Sequence, residues 1–450
     1  MNPLAQLMRA RGHEVQGSDR ALDQGKSQDL AARLRDLGID LRPQDGSAVT
    51  ADIDRLVYST AVEADTPEMR AARDLPIEML SRPALLAEIV NAGRPGVAIA
   101  GTSGKSTITG MLAWLTRGAG VTATALGGAG LVGEGSGGCF IAGPAAGPVV
   151  AEACESDGTL IGYRPEIGLV HNVSRDHGEL DQLRPQFAAF AGNCRRLLVN
   201  ARCPEAAALG RRFNGLSYGA APTADFPLEV VRSGPDRGLG VLRFPRGFLR
   251  LDVPQPGLHN IENAAAAAVV AVELGLDLDG IAALLARFPG VARRFEVIGT
   301  TASGIRVVDD YAHNADKMRA AIITAQASSA RVVAVFQPHG YGPARFLRPE
   351  LRDLLPSLLR PEDRFCYAEI FYAGGTVAKD ISSATLADDV PAAIRCGYAR
   401  DHTAVREWVL SETRPGDTVL LMGARDPDLP RLARALFESL EPAPARAAGR

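Results

Sequence analysis

No two cysteines in this chain form a C-x-x-C pair. The six present, Cys139, Cys154, Cys194, Cys203, Cys366 and Cys396, are scattered along 450 residues. That pattern supports neither a zinc framework nor a dithiol motif, and free thiols in a reducing cytoplasm are the plain reading. Membrane-spanning apolar runs are also missing: the run Ala264–Val272 is cut short by Glu273, well below the length a bilayer requires, so no membrane partner is expected. The opening stretch, Met1–Glu14, turns charged too early for a secretory signal. Neither sign of charge prevails. Lys and Arg total 49 against 52 Asp and Glu, a net charge of −3. Nothing electrostatic therefore points to nucleic acid as a partner, and an anionic ligand must be held by local sites. There is no internal repeat.

What the chain does contain is 46% hydrophobic and 22% charged residues, the balance of a globular protein, at a length that calls for two or three domains. Its centre of gravity is Val97–Thr107. Val97–Ala100 reads as a buried strand, Gly101-Thr102-Ser103-Gly104-Lys105-Ser106-Thr107 as a turn, and Met111–Leu115 as the opening of a helix. Strand, glycine-rich loop and helix in that order are the context of a phosphate-binding loop: backbone N–H groups converge on phosphate oxygens, and the helix N-terminus adds positive partial charge. The common form G-x-x-x-x-G-K-[ST] needs a glycine where this chain has Ile99, so the loop is a short one.

Elements alternate along the rest of the chain, which predicts parallel sheets with helices on their faces, an α/β protein. Residues 3–12 read as a helix, His13–Asp19 as a strand, Gln28–Leu37 as a helix, Ile53–Ser59 as a strand and Thr66–Arg73 as a helix. Residues 91–96 read as a linker. Beyond the phosphate loop, the glycine-dense tract 127–147 is expected to be a mobile loop rather than packed structure. Val149–Glu152, Ile167–Val173 and Leu197–Asn200 read as strands, 226–253 as short antiparallel strands and His259–Leu274 as a helix. Four more strands, Ile305–Asp310, Arg331–Phe336, Arg364–Tyr367 and Thr418–Met422, predict a second doubly wound unit. The tail Glu441–Arg450 is expected to fray.

Acidic and imidazole groups gather at the predicted strand ends: Glu152, Glu155 and His177, with Asp157 and Asp176 beside them. In an open parallel sheet these face the same crevice as Lys105, and hard oxygen ligands suit Mg²⁺. N-capping by Ser156, Asp157 or Asp176 is the alternative reading for any one of them. His313, at another strand end, reads either as a satisfied polar residue or as a site residue.

These stretches resemble the Mur ligase family, the ATP-dependent amide-bond-forming enzymes of peptidoglycan assembly. Gly101–Thr107 is similar to the family's G-T-x-G-K-[ST]-T loop, Glu152-Ala-Cys-Glu-Ser-Asp157 to E-A-D-E-S-D, and Asn172-Val-Ser-Arg-Asp-His177 to T-N-I-x-x-D-H. Asp309-Asp-Tyr-Ala-His-Asn314 is similar to D-D-Y-x-H-[HN]-P. Gly257–Asn263, Arg293-Arg294-Phe295, Phe336-Gln-Pro-His339 and Met422-Gly423-Ala424 extend the likeness over essentially the whole chain. Within the family the pattern is nearest to the members that add L-alanine to UDP-N-acetylmuramate, and the murein-tripeptide recycling members are close cousins.

The resemblance implies three domains. Residues 1–92 would form a truncated Rossmann-like domain for the UDP-sugar, 93–290 a central P-loop ATPase-like domain, and 291–450 a Rossmann-like ligase domain that closes onto the second. It implies ATP and Mg²⁺ as cofactors and two small-molecule substrates, a UDP-N-acetylmuramate-like acid and an amino acid. Gly101, Thr102, Ser103, Gly104, Lys105, Ser106 and Thr107 would cradle the phosphates. Asn260 and Asn263 would meet the adenine, Asp310 the ribose and Arg294 the γ-phosphate. Ser106, Glu155 and His177 would ligate the metal. Ser18, Asp19, Ser59, Thr60, His313, His339 and Arg345 would lie on the substrates.

Three departures from the family pattern stand out. The N-terminal strand and its G-x-G-G-x-G-M-S turn, which would cradle the UDP pyrophosphate, are absent; the alternatives are a start placed at an internal methionine of a longer reading frame, which is the expectation, and an impaired nucleotide-sugar site. The loop has Ser103-Gly-Lys-Ser106 where the alanine-adding members show His-Gly-Lys-Thr. The segment after Phe336-Gln-Pro is His339-Gly-Tyr-Gly-Pro-Ala-Arg345 rather than H-R-Y-T-R, so the arginines expected on the amino acid's carboxylate are displaced, with Arg345 or Arg348 as substitutes. Three readings stay open: a UDP-muramyl ligase, the same chemistry on another acid or amine, and a nucleotide-binding relative that no longer catalyses.

Overall fold

The structure, a computed structural model, describes residues 1–25, 27–134, 140–155, 158–174, 180–372, 374 and 377–441. Cys139, Ser156, Asp157, Asp176 and His177 lie outside them. The chain divides into two compact units, Met1–Ser233 with Arg237–Val291, and Gly234–Asp236 with Ala292–Arg450. Among the described residues no helix is long and apolar enough to cross a membrane.

The first unit is organised on a ten-stranded sheet. Gly96–Ala100 lies inside it, parallel to Val149–Ala153 on one side and to Ile167–Val170 on the other. Arg196–Asn200 and Leu216–Gly219 continue the parallel run. Phe226–Ser233, Gly238–Phe244 and Gly247–Val253 end it as an antiparallel meander, the short antiparallel strands expected over 226–253.

Period-two alternation decides what each face buries. Val97 and Ile99 point to one face, where the helices Lys105–Gly118, Leu258–Glu273 and Leu278–Leu285 supply Ile108, Met111, Ala264–Ala268 and Ile281. Ala98 and Ala100 point to the other, against Leu86 and Val90 of Arg82–Ala92 and Phe187 and Phe190 of Leu180–Asn193. Leu4 and Leu7 of the opening helix Asn2–Ala10 belong to this second cluster. Small alanines on the sheet and on Leu258–Glu273 let these layers approach closely, which concentrates dispersion contacts at the strand that carries the loop.

Two expectations are corrected here. Of the strand His13–Asp19 only Gln16–Gly17 pairs, with Asp40–Leu41, and Arg55–Tyr58 pairs separately with Glu78–Ser81. Residues 1–92 thus carry two short parallel pairs rather than one sheet. The tract 127–147 is packed at both ends. Leu131 is buried and bridges Val291, the Val132 N–H donates to the Gly290 carbonyl at 3.1 Å, and Phe140–Ile141 pairs with Thr124–Leu126. One leucine that fills core space and a strand edge that needs a partner outweigh the local glycine content.

The second unit has a six-stranded sheet in the order Glu296–Thr300, Arg306–Asp310, Thr418–Gly423, Val332–Gln337, Arg364–Ala368, Cys396–Ala399. All pairs are parallel except the first. The four expected strands are there, together with two edge strands that the apolar pattern does not announce, because edge strands bury less. Ala334, Phe336, Leu420 and Met422 face Met318, Ile322 and Leu351; Val333, Val335, Val419 and Leu421 face Val405, Val409, Leu432 and Leu436. Both faces are covered, the doubly wound arrangement.

Candidate functional site

The strand Gly96–Ala100 ends at Gly101, and the helix begins at Lys105, six residues before the apolar Met111–Leu115 run. Ser106 and Thr107 therefore sit in the first turn, where backbone N–H groups have no helical partner and the macrodipole is positive. Gly104 caps this helix at φ +85°, a conformation that costs an L-residue strain. A Cβ there would meet Asn263 Oδ1 at 2.6 Å and His171 Cδ2 at 2.8 Å. Gly104→Ala is expected to weaken ATP binding about ten- to a hundred-fold, from strain and displacement together. Titration calorimetry checks it, and unchanged affinity would show that the loop does not need this geometry.

The loop is tied to the end of the neighbouring strand. Asn172 Oδ1 accepts from the Ser103 N–H at 2.8 Å and from Thr102 Oγ1 at 2.9 Å, and Asn172 Nδ2 donates to the Ser103 carbonyl at 3.3 Å. Thr102 Oγ1 also lies 2.8 Å from Ser174 Oγ. Lys105 Nζ donates to Glu155 Oε2 at 2.8 Å and to the Gly101 carbonyl. The Lys105 side chain is 12% exposed and that of Glu155 is 0% exposed. Burial works against the ammonium, but the Glu155 carboxylate, with Cys154 and Glu152, outweighs it and holds the pKa above the ordinary lysine value. Lys105 is thus charged throughout the neutral range. Glu155 Oε1 is buried with no hydrogen-bond partner. Glu152 takes a different part from that of Glu155: its Oε2 accepts from Ser106 Oγ at 3.2 Å and its Oε1 from the Gly128 N–H at 2.6 Å.

Asn260 and Asn263 are buried on the helix Leu258–Glu273. Asn260 Nδ2 donates to the Pro256 carbonyl at 2.8 Å and Asn263 Nδ2 to Asn260 Oδ1 at 3.3 Å, which leaves Asn263 Oδ1 buried and unpartnered near Gly104. The neighbouring Glu262, also buried, forms a bidentate pair with Arg202 at 2.5 and 3.1 Å. In residues 1–92, Ser18 Oγ donates to Glu68 Oε1 at 3.2 Å, Asp19 caps the helix Arg20–Asp23, Ser59 Oγ accepts from the Ala61 N–H at 3.3 Å, and Thr60 is exposed.

In the second unit, the residues expected at the nucleotide cluster where Arg306–Asp310 ends. Asp310 accepts from the Phe295 and Ala312 N–H groups, both at 2.7 Å. Arg293 reaches Asp309 Oδ2 at 3.3 Å and donates to the carbonyls of Gly423 at 2.7 Å and Ala424 at 2.8 Å. Arg293 and Arg294 both lie over the Tyr311 ring, 5.0 and 4.9 Å from its centre. His313 Nδ1 lies 2.9 Å from the Tyr311 carbonyl, and its ring meets His339 edge-to-face at 5.5 Å. Arg345 is engaged by Asp380 and the Ala378 carbonyl, and Arg348 by Asp389 at 2.6 and 2.9 Å.

Burial raises the Asp309 carboxyl to about 7, with Arg293 opposing the shift. A carboxyl whose folded pKa lies above its unfolded value keeps its proton in the folded state after the unfolded chain has lost it. Stability therefore falls as pH rises from the ordinary aspartate range to about 7. Asp309→Asn is expected to flatten the melting temperature of this unit across that window; a slope that survives the substitution would place its origin elsewhere.

Several of these residues carry no sequence signal. Arg202 belongs to no motif, His171 stands where the family segment opens with a threonine, and Glu262 lies within Gly257–Asn263 with nothing local to mark it as the partner of Arg202. Arg293 was legible as part of Arg-Arg-Phe, but its role as a clamp on the carbonyls after Thr418–Gly423 was not.

A glycine-rich loop at the carboxyl edge of a parallel sheet, followed by a helix and flanked by a buried lysine–carboxylate pair, is the architecture of a P-loop nucleotide-binding fold. Comparison with known proteins narrows the class. The Mur ligase family catalytic-domain model matches residues 1–94, and the Mur ligase glutamate ligase domain matches 293–425. The UDP-N-acetylmuramate–L-alanine ligase of Kineococcus radiotolerans is 38% identical over 447 residues, covering 95% of this chain and 91% of that protein. That of Caulobacter vibrioides is 33% identical over 452 residues, with coverage of 95% and 91%. Among solved structures, UDP-N-acetylmuramate-alanine ligase from Thermotoga maritima has a TM-score of 0.76 at 23% identity, covering 98% of this chain and 96% of that one. A murein peptide ligase from Psychrobacter arcticus has a TM-score of 0.67 at 19% identity, with coverage of 99% and 97%. The chain belongs to the Mur ligase family, whose members are ATP-dependent carbon–nitrogen ligases.

Proposed function

We propose that this protein is the ADP-forming ligase that joins L-alanine to UDP-N-acetylmuramate in peptidoglycan synthesis, working in the cytoplasm. The likeness to L-alanine ligases over nine-tenths of their length supports the substrates. The observation that carries the chemistry is the Lys105–Glu155 pair at the first turn of the phosphate-loop helix. A carboxylate is a poor acylating agent. An oxygen of the sugar acid's carboxylate attacks the γ-phosphorus of ATP and ADP departs, which leaves an acyl phosphate. The amino nitrogen of alanine then attacks the acyl carbon, inorganic phosphate leaves and the nitrogen gives up a proton. The protein's contribution is to hold the reactants in line and to offset charge.

Lys105 and the loop N–H groups grip the outer phosphates. Asn172 fixes the loop, Asn260 and Asn263 serve the base, Asp310 the ribose and Arg294 the γ-phosphate. Ser106, Glu155 and His177 are assigned to Mg²⁺. The buried, unpartnered Glu155 Oε1 and the Ser106 hydroxyl suit a hard cation. When bound, the ion supplies charge neutralisation on the phosphates. Residues 1–92, with Ser18, Asp19, Ser59 and Thr60, are assigned to the UDP-sugar, 93–290 to ATP, and 291–450, with His313 and His339, to the amino acid; Arg345 is excluded from that assignment because Asp380 already holds it.

The test is phosphate release from ATP with UDP-N-acetylmuramate and a panel of amino acids. Release that requires both and is greatest with L-alanine supports the assignment. Release with a murein tripeptide in place of alanine moves the protein to the recycling reaction, and ATP binding without turnover makes it a non-catalytic relative.

A further inference from the structure

His171 has no place in the reaction described above, yet it lies against the loop. It follows the strand Ile167–Val170 and extends its pairing, its N–H donating to the Ala100 carbonyl at 3.0 Å. Its ring is buried, 4% exposed. One edge lies against Gly104: a methyl group on that glycine would fall 2.8 Å from Cδ2 and 3.3 Å from Nε2. At the opposite edge Nδ1 shares a 2.7 Å hydrogen bond with the hydroxyl of Tyr218, which is fully buried on the strand Leu216–Gly219. The planes of the two rings are nearly parallel, 13° apart. Asn263 Oδ1 closes another side, 2.6 Å from the same point on Gly104. Where the family segment has a threonine before its asparagine, this chain has a ring that spans from Tyr218 to the phosphate loop.

We propose that His171, braced by Tyr218, is a positioning residue that sets the height of Gly104 and so aims Lys105 and the first-turn N–H groups at the β- and γ-phosphates of ATP. The inference rests on ATP being the bound nucleotide. The burial that isolates the ring also pulls the imidazole to about 4 and pushes the Tyr218 phenol well above its ordinary value. Both groups are therefore neutral at working pH, and the brace acts by contact and hydrogen bonding, not by charge. A displaced loop is costly because the phosphate donors must converge on oxygens within a fraction of an ångström.

The experiment measures ATP affinity by calorimetry, UDP-N-acetylmuramate affinity as an internal reference, and the melting temperature. His171→Ala is expected to weaken ATP about tenfold or more, with UDP-N-acetylmuramate affinity unchanged, because only the loop is misaligned. His171→Phe, which keeps the ring edge against Gly104, restores most of the ATP affinity. Tyr218→Phe removes one hydroxyl, weakens ATP by about threefold, and adds little further loss on top of His171→Ala, as expected for residues acting in one chain. ATP affinity unchanged in His171→Ala overturns the proposal, and so does an equal loss for both ligands with a fallen melting temperature. If His171→Ala does not fold, unchanged ATP affinity in Tyr218→Phe overturns it. A wild-type protein that binds no ATP removes the functional reading itself, a result distinct from any of these.

Discussion

Lys105→Met is expected to abolish ATP-dependent phosphate release, lowering kcat by about a thousandfold or more, in the range seen when a preorganised transition-state donor is removed. The ammonium is buried, charged and aimed by two partners, the Glu155 carboxylate at 2.8 Å and the Gly101 carbonyl. In the proposed reaction its charge meets the charge that develops on the transferring phosphoryl group at no cost of reorganisation. The substitution has a second consequence. Glu155, 0% exposed at its side chain, is left without its cation, a change that costs about 3–5 kcal/mol in buried pairs. The two effects separate in Lys105→Met combined with Glu155→Gln: the melting temperature returns towards wild type while turnover stays absent. A Lys105→Met enzyme that keeps about a tenth of the wild-type rate would rule out this role, since a tenfold loss is only about 1.4 kcal/mol of barrier.

Arg293→Ala should be the most damaging single change in the second unit. Its guanidinium joins three groups, Asp309 and the carbonyls of Gly423 and Ala424, just where the central strand Thr418–Gly423 ends. The backbone around it is held in an uncommon conformation, φ +60° at Arg293 and +51° at Phe295. The Arg293 N–H donates to Glu296 at 2.9 Å, its carbonyl accepts from the Tyr311 N–H at 2.7 Å, and Asp310 holds Phe295. Removal of the side chain takes a donor from each of two carbonyls and the cation from Asp309, a loss of about 3–5 kcal/mol or roughly a 10 °C fall in melting temperature for a unit this size.

The pH dependence identifies the cause. Without Arg293 the Asp309 carboxyl lies still higher than its present value of about 7, so the folded state keeps its proton further into the alkaline range and the deficit relative to wild type grows as pH rises. Arg293→Lys is expected to rescue little, because a single ammonium cannot serve three acceptors in the geometry of a planar fork. A deficit independent of pH would mean that the lost carbonyl contacts, and not Asp309, dominate.

Much of the first unit's site is readable from local order. Val97–Ala100, the glycine-rich turn and Lys105-Ser106-Thr107 announce a strand, a loop and a helix start because each depends on a few adjacent residues: apolar alternation, a positive φ at Gly104, and unpaired N–H groups in a first turn. The acids Glu152 and Glu155 are visible as polar residues where an apolar strand stops. Their separate roles are not visible. That Glu155 pairs with Lys105 while Glu152 holds Ser106 and Gly128 depends on which side of the strand end each points to, and therefore on the register between Gly96–Ala100 and Val149–Ala153.

The parts that stay hidden are those made by residues far apart in the chain. The tract 127–147 looks loose because its glycines dominate the composition, whereas Leu131 is held by Val291 across 160 positions of sequence. Arg345 and Arg348 look like free replacements for a displaced carboxylate clamp, whereas both are already joined to acids, Asp380 and Asp389, on segments that the sequence gives no reason to bring near.

What the sequence by itself determined is the kind of protein: the α/β alternation, the phosphate loop, the motifs that place the chain in its family, and so the reaction. Those are properties of short stretches, set by local backbone preference and by the chemistry a few consecutive side chains can offer. Only the tertiary structure decided which charged groups are committed and which are poised. Commitment is a matter of distance and burial: a carboxylate 2.8 Å from a buried ammonium, or an imidazole wedged between a phenol and a glycine, gains its character from partners that the fold, and not the order of residues, brings within reach.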